Sequence, residues 1–313
     1  RAAPMSSAWK RLHSATTMDF RIERLSGPII VPNMDARMGT NINGPSLIRA
    51  PDWLPTPPGR YLLYFAHHNG TYIRLAFADA IEGPWRTHEA GVLDLEESGF
   101  IDHIASPEIF IDAAAQELRL YFHGRTGYKA DGSQIQATRV ATSCDGLDFT
   151  VREPELGPAY FRVFEQAGAV YALARAGELL RSPDGFEPFE SCGIPKGLPE
   201  NIRHVALWRR GEDRLTLFHT VIGEAPEVIY TCDFVMEGDW TEWRAGPSTK
   251  VLQPDLDYEG NDIPLAPSAV GAIDVRVNQL RDPDIHVDLD GAVYMPYSVA
   301  GEAGIALAKV ETS

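Results

Sequence analysis

The chain has 313 residues, 44% of them hydrophobic, which is enough for one large domain or two smaller ones. Its formal net charge of −16 argues against nucleic acid as a partner, because a phosphate backbone is held mainly by lysine and arginine. No apolar run is long enough to span a bilayer, so we expect no membrane partner.

The cysteines and the first residue are the features of the sequence that bear on the protein's localisation. Cys144, Cys192 and Cys232 are odd in number and widely spaced, which predicts buried free thiols rather than a disulfide framework or a zinc site. Free thiols favour a reducing compartment. The chain begins with Arg1 rather than methionine, so a signal peptide would be invisible. The localisation therefore stays open between cytoplasmic and periplasmic or secreted.

In chain order, residues 1–19 are expected to form an N-terminal arm or tail, and residues 20–313 a single domain. A strand within residues 20–31 is expected to complete the last of a series of repeats. From Asn43 onward one unit recurs five times: a strand, a turn, two further apolar strands and a weaker fourth strand. The units begin near Asn43, Ser106, Tyr160, Arg203 and Arg281.

The repeated unit predicts an all-β fold, a five-bladed β-propeller. Strands such as "YLLYF" and "LRLYF" are apolar on both faces, as in a sheet packed between two others, and long helical periodicity is absent. Radial repetition of four-stranded sheets gives a propeller. A two-sheet sandwich is the alternative, but it does not predict the aromatic residue that closes the units, at Trp85, Phe149, Phe189 and Trp243.

The last unit contains the clearest hairpin, "RDPDIHVDLDGAVYMPYS" over residues 281–298, with its turn at Asp290-Gly291. In a blade, the first strand starts at the face to which the second strand returns. Residues before the first strand and after the second therefore gather around one mouth of the channel. That set is Asn41, Asn43, His67, His68, His103, Glu108, His123, Arg125, Arg162, Arg175, Arg203, His204, His219, Arg281, Asp282, Asp284 and Glu302.

At this point the chain resembles the five-bladed propeller glycosidases, the group that contains glycoside hydrolase family 43 and its relatives in families 32, 68, 117 and 130. The resemblance covers about residues 33–310 and rests on "RDPDI" with "DGAVYMPYS", "SPEIFID" with "LRLYFHG", and "GPSLI" with "RYLLYFAHH". The chain is also similar to an uncharacterised bacterial group that shares "NINGPSLIRAP", "YFAHH" and "HIASPE".

The resemblance implies three carboxylates near the mouth: a base or nucleophile, a general acid and a third that orients or tunes. Asp282 and Glu108 match such positions. The first repeat has Gly44-Pro45 where family 43 usually carries Asp-Pro, and the third has Arg162 in "YFRVF", so the assignment of three acids does not transfer intact.

Glycoside hydrolysis needs an acid on one side of the sugar and a carboxylate on the other. The preferred pairing is Asp282 as base and Glu108 as acid, because apolar walls can raise one pKa while Arg281 keeps the other carboxylate ionised. Asp35, in "NMDARMG", is a third catalytic candidate. The alternative for each is structural, since Asp-Pro and Pro-Glu commonly start strands and Asp35 can cap a loop.

The histidines and arginines of the set are predicted to bind substrate. Histidines recur at the end of the second strand and suit sugar hydroxyls, a general acid, or a divalent cation on the channel axis; packing among aromatics is the alternative. No HxH or HExxH motif supports zinc, so a metal stays unassigned. The predicted substrate-binding residues are Asn43, His67, His68, His103, His123, Arg125, Arg162, Arg203, His204, His219 and Arg281.

Three arginines, Arg162, Arg203 and Arg281, open repeats in an acidic protein. Guanidinium groups pair with carboxylate or sulfate, so they predict a sugar with an anionic group such as a uronate; the alternative is that they bridge neighbouring blades through carboxylates.

Three functions follow: a glycosidase acting on a small oligosaccharide, a polysaccharide lyase with a histidine or tyrosine base, and a non-catalytic carbohydrate-binding propeller. The partner is carbohydrate in each. Sugar, linkage, stereochemistry and oligomeric state stay open.

Overall fold

The computed structural model describes residues 20–312, in which 21 strands form five antiparallel sheets. The first described strand, β1 (Phe20–Arg24), belongs to the last sheet. The first sheet contains β2 (Asn43–Arg49), β3 (Tyr61–Ala66), β4 (Tyr72–Ala78) and β5 (Arg86–Asp94). The second contains β6 (Ile104–Asp112), β7 (Glu117–Tyr128), β8 (Gln134–Ser143) and β9 (Thr150–Gly157). The third contains β10 (Arg162–Gln166), β11 (Ala169–Leu173), β12 (Leu179–Ser182) and β13 (Glu190–Gly193).

The fourth sheet has five strands, β14 (Ile202–Gly211), β15 (Arg214–Val221), β16 (Ile229–Val235), β17 (Arg244–Ala245) and β18 (Thr249–Leu252). The fifth contains β19 (His286–Val287), β20 (Val293–Ser298), β21 (Ile305–Thr312) and β1. One short helix, α1 (Leu95–Ser98), follows β5, and single 3-10 turns cover Arg175–Gly177, Trp240–Glu242 and Asp257–Glu259. The predicted hairpin turn is present, with Gly291 at a φ of 84° between β19 and β20.

Hydrophobic clusters fill the gap between each sheet and the next. Alternate residues of β3 face opposite neighbours: Leu62 and Tyr64 belong to a cluster with the second sheet, whereas Leu63 and Phe65 belong to one with Ile305 of the fifth. Three further clusters join the second sheet to the third, the third to the fourth and the fourth to the fifth. The sheets therefore close into a ring of five blades, which confirms the predicted propeller and explains strands that are apolar on both faces.

The aromatic residue that closes each of the first four repeats is buried directly before the outermost strand. Trp85 precedes β5, Phe149 precedes β9, Phe189 precedes β13 and Trp243 precedes β17. Each belongs to a cluster between blades. The repeated aromatic side chain therefore packs between two blades and holds the outer edge of its own blade against the next one.

The ring is closed by pairing of the chain's two ends. β1 lies antiparallel to β21, from Phe20 opposite Thr312 to Arg24 opposite Ala308, as predicted for the segment before the first repeat. Residues 1–19, expected as an arm or tail, lie outside the described residues.

Two findings concern the surface. Cys232 is buried, but Cys144 and Cys192 are exposed, so the expectation of buried thiols is wrong for those two. Both lie in loop or edge positions of their blades, where the neighbouring blade does not cover them. Across residues 20–312, none of the helices has the length and apolar character needed to cross a bilayer.

Candidate functional site

A bulge marks the point where inner strands enter the channel mouth. In β2, Asn43 lies opposite Ala66 and Ser46 opposite Tyr64, so the inner strand carries one residue more than its partner. The same insertion occurs in β6 and in β14. Each blade has a residue with a positive φ at or shortly before its inner strand: Gly44 (60°), Ser106 (48°), Tyr160 (68°), Asn201 (60°) and Asp282 (47°). Bulges re-aim side chains and are common beside active sites.

These bulges surround a crevice at the centre of the mouth. Its lining includes a residue from every blade, namely Gly44, Ser106, Tyr160, His204 and Asp282. The crevice has a free volume of about 10 Å³, roughly the space of a single water molecule. The aspartate of the Asp-Pro motif therefore lies where the five blades converge.

Asp282 is 1% exposed, and two neutral groups contact its carboxylate. Oδ2 accepts a hydrogen bond from the Ser298 hydroxyl at 3.3 Å, and Oδ1 contacts Nδ1 of His204. A positive φ is uncommon outside glycine, although aspartate tolerates it better than most residues. A buried carboxylate held beside an imidazole in a left-handed backbone conformation is a typical functional arrangement.

His204 is a neutral imidazole at neutral pH. Burial lowers its pKa well below the ordinary value, and the positive charges of Arg203 and Arg162 lower it further. With Nδ1 against the Asp282 carboxylate, we assign the ring proton to Nδ1, which leaves Nε2 as an acceptor. Within residues 20–312 neither Nε2 nor Nδ1 makes a hydrogen bond, so Nδ1 touches Oδ1 of Asp282 without hydrogen-bond geometry. The pair can therefore take a proton from a water or sugar hydroxyl in the crevice.

A row of aromatic rings continues from His204 across the mouth. The ring of Tyr160 lies 4.5 Å from that of His204 and 4.2 Å from that of His123, whose ring lies 5.9 Å from that of His103. Burial lowers the pKa of His123 well below its ordinary value and also lowers that of His103. Burial raises the pKa of Tyr160. At neutral pH this row offers uncharged donors and acceptors, which suits sugar hydroxyls.

Arg162 closes the floor of the crevice. From the third blade, its guanidinium donates to the carbonyl oxygens of Pro45, Pro107 and Val205 in three other blades, and it pairs with Glu108. A side chain with these partners lies across the channel. The guanidinium of Arg162 thus occupies the channel axis, where a divalent cation was considered from the sequence. Within the described residues, no cluster of three side chains could hold a metal ion.

Glu108 lies behind this guanidinium rather than in the lining of the crevice. Its Oε1 accepts the backbone N–H of Val163 at 3.3 Å, and Ser46 donates to Oε2 at 3.5 Å. Burial raises the pKa of Glu108 to about 7, against the opposing charge of Arg162. Asp284 lies nearby and accepts the backbone N–H of Leu47 at 2.8 Å, so it braces two blades.

Two buried ion pairs flank the crevice on the side of the fourth and fifth blades. Arg203 donates to both carboxylate oxygens of Glu227, at 2.8 and 3.0 Å. Arg281 donates to Glu302 at 2.9 Å and to Gln279, rather than to Asp282 as the sequence suggested. Each of these two pairs lies within one blade, and the bridge between neighbouring blades is the longer contact of 3.9 Å from Arg281 to Glu227.

Glu302 also gathers groups from the first blade. His68 Nδ1 lies 3.1 Å from Oε1, and the amide of Asn41 donates to Oε2 at 2.8 Å. Burial would raise the pKa of Glu302, but His68, Arg281 and Asn41 together hold it at about 2. Asn43 joins the group through His68, with its amide 3.4 Å from Nδ1.

Several predicted residues lie apart from the crevice. Asp35 accepts the backbone N–H groups of Arg37 and Met38 and so caps a loop. His67 accepts the N–H of Asn69 within its own turn. His219 stacks on Tyr230 and contacts the Ser248 hydroxyl at 3.2 Å, with its pKa lowered to about 4 by burial. Arg125 pairs with Asp102, which also contacts His103, at the rim of the second blade.

Three members of the site were not predicted as site residues from the sequence. Ser106 lines the crevice, Ser298 holds the aspartate and Glu227 neutralises Arg203. The first could have been found, because Ser106-Pro107 occupies the same place in its repeat as Gly44-Pro45 and Asp282-Pro283. The other two lie on later strands or loops, where no local pattern marks them.

Comparisons with known proteins identify a relative of this chain and solved structures with the same fold. No protein-family model matches the chain. Protein R118 of Acanthamoeba polyphaga mimivirus, which is uncharacterized, is 35% identical over 302 residues, covering 86% of this chain and 83% of R118.

Among solved structures, a glycosyl hydrolase from Bacteroides ovatus matches with a TM-score of 0.64 at 12% identity, covering 92% of this chain and 93% of that one. An α-L-arabinofuranosidase from Lactobacillus brevis matches with a TM-score of 0.59 at 12% identity, covering 89% and 92%. These likenesses confirm the resemblance to propeller glycosidases at the level of the fold.

Proposed function

Since this chain belongs to the same family as mimivirus protein R118 and shares its fold with glycoside hydrolases, we propose that it cleaves glycosidic bonds at the propeller mouth. R118 has no assigned activity, so the proposal depends on the site. The observation that carries it is the contact between Asp282 and His204 beside a crevice that fits one water molecule.

In this proposal the carboxylate and imidazole activate the attacking water. Water adds to the anomeric carbon while its proton passes to the pair, and the bond to the leaving oxygen breaks as that oxygen receives a proton from an acid. Asp282 is the essential carboxylate, because Ser298 and its backbone hold it in place. His204 is a neutral acceptor beside it.

Glu108 is the candidate acid. A pKa of about 7 favours a carboxyl group that carries its proton near neutral pH. The Arg162 guanidinium stands between Glu108 and the crevice, so proton donation requires that side chain to shift. Asp35 has no part in the proposal, because both of the N–H groups it accepts belong to its own loop.

A uronate lyase is the second candidate, favoured by the row of rings. β-Elimination needs a base that removes the proton next to a uronate carboxyl group, a donor for the leaving oxygen and a cation for the carboxylate. Tyr160 and His123 lie in contact and near neutral pH are uncharged. A hydrolase and a lyase give different products, so one assay separates them.

The test compares the parent with Asp282→Asn, Glu108→Gln and Tyr160→Phe on neutral and uronate oligosaccharides. Reducing ends report cleavage, and ultraviolet absorbance of the unsaturated sugar reports elimination. We expect Asp282→Asn to lose about 10²- to 10⁴-fold in rate with its fold intact. Asp35→Asn is the matched control and should keep full activity. Full activity of Asp282→Asn would remove this proposal, and absorbance lost in Tyr160→Phe would favour the lyase.

A further inference from the structure

Most of the arginines around the mouth are already neutralised. Three have a carboxylate partner within the described residues, namely Arg125 with Asp102, Arg203 with Glu227 and Arg281 with Glu302. The guanidinium of Arg162 donates to three backbone carbonyl groups. A guanidinium with a bidentate or buried carboxylate has little left to offer a ligand. The anionic substrate inferred from Arg162, Arg203 and Arg281 therefore needs another cation.

Arg175 is an arginine at the mouth without such a partner. Within residues 20–312 its side chain is exposed and makes no hydrogen bond or ion pair. It directly follows Ala174, which lines the crevice, and its backbone N–H donates to Ala159 at 3.0 Å, next to Tyr160. The backbone that carries this cation is thus anchored at the edge of the crevice.

The turn that carries Arg175 is held in a defined conformation. Ala176 and Gly177 have φ values of 62° and 82°, and the N–H of Gly177 donates to the Ala174 carbonyl at 3.0 Å. A non-glycine residue at a positive φ is kept only where its surroundings determine it. The backbone beneath the guanidinium is therefore ordered before any ligand binds.

An unsatisfied buried group lies within reach of the electrostatic field of this cation. His123 is 1% exposed, and its Nδ1 has no hydrogen-bond partner in the described part of the chain. The charge of Arg175 acts on both His123 and Tyr160. A buried polar atom without a partner costs stability, and Nδ1 gains a partner only when a ligand displaces the rings that cover it.

We propose that Arg175 binds the carboxylate of a uronic acid residue in the substrate, with Tyr160, whose ring packs on the buried His123, contacting the same sugar. This rests on the proposed function and narrows its substrate to uronate-containing glycosides. Guanidinium matches a planar carboxylate through two parallel hydrogen bonds, which a neutral sugar cannot offer.

Binding of monosaccharides tests this without any turnover. Glucuronate, glucose, galacturonate and galactose are titrated into the parent, Arg175→Gln and Arg181→Gln, and dissociation constants are taken from ligand-detected NMR. Arg181 is an exposed arginine of the same blade, so its variant makes the same charge change elsewhere. We expect Arg175→Gln to weaken uronate binding by about 10- to 100-fold, the effect of losing a charged hydrogen-bond pair. Neutral sugars and Arg181→Gln should show no such change.

Equal losses in the two arginine variants, or uronates that bind no better than neutral sugars, would overturn the inference. Glucose 6-sulfate tests whether the site prefers a sulfate ester. If it binds more tightly than glucuronate and Arg175→Gln abolishes that binding, the assignment to a uronate is also overturned. Arg175-dependent uronate binding without any cleavage would leave this inference standing while the proposed function fails. Cleavage of neutral and uronate glycosides at equal rates by the parent, unchanged in Arg175→Gln, would leave the proposed function standing while this inference fails.

Discussion

Replacing Glu302 by glutamine should destabilise the fold in a way that depends on pH. Glu302 is 3% exposed and ties three segments together at the mouth, through contacts with His68, Arg281 and Asn41. These groups hold the pKa of the carboxyl at about 2, against the burial that would raise it. A glutamine keeps the shape but loses the charge.

The size of the effect follows from the pKa of Glu302. A fall from the ordinary 4.5 to about 2 corresponds to about 3 kcal/mol, at about 1.4 kcal/mol for each tenfold change in proton affinity. Because the folded pKa is the lower one, this stabilisation is fully present above the unfolded pKa. It is lost as pH falls from about 4.5 towards about 2.

Urea unfolding followed by tryptophan fluorescence measures the difference between parent and Glu302→Gln over this range. We expect the variant to be less stable by about 3 kcal/mol near neutral pH and by less than half of that near pH 3. Glu153→Gln is the control, because Glu153 is 76% exposed in its pair with Arg139 and such pairs contribute about 0–1 kcal/mol. A difference that is small at neutral pH, or that does not shrink with acid, would refute the reasoning.

Two further substitutions test the mouth. Glu227→Gln should lower the free energy of unfolding in urea by about 3–5 kcal/mol, because it leaves the buried guanidinium of Arg203 without its charge partner. A decrease below about 1 kcal/mol would contradict this. Gly44→Ala should lower the free energy of unfolding by more than about 1 kcal/mol in the same measurement, since a Cβ at a φ of 60° would lie 3.1 Å from the Cα of Ser106. An unchanged urea midpoint would show that the two blades can separate there.

The fold was predictable because its physical signature is local and repeated. Strand β3 is buried along its whole length, and that requires apolar residues on both faces, which the sequence shows directly. Aromatic residues such as Trp85 and Trp243 recur before the outermost strands, so the period of the repeat was visible as well. What could not be predicted was the fifth strand of the fourth blade, since β18 pairs with β16 only after a connection of irregular sequence.

The sequence predicted which end of the blades would come together at the mouth, but only part of the crevice lining and none of the ion pairs. Topology alone brings Asp282, His204 and Arg162 to one mouth, because all three lie at or near the start of inner strands. Which cation meets which carboxylate depends on side-chain reach across the ring. Arg281 is adjacent to Asp282 in sequence yet contacts Glu302 from the far end of its hairpin, and no local pattern encodes that choice.

The bulges explain how one repeated backbone carries different chemistry in each blade. A left-handed residue at this place costs energy, of order 1–3 kcal/mol, in every blade whose residue is not glycine. Ser106, Tyr160 and Asp282 have nothing in common except that position, and each lines the crevice. A backbone requirement alone would favour glycine, as at Gly44, so the three side chains are retained against their conformational cost. That cost, together with their shared place in the crevice lining, is why we propose these residues for the protein's chemistry rather than the many other polar groups of the rim.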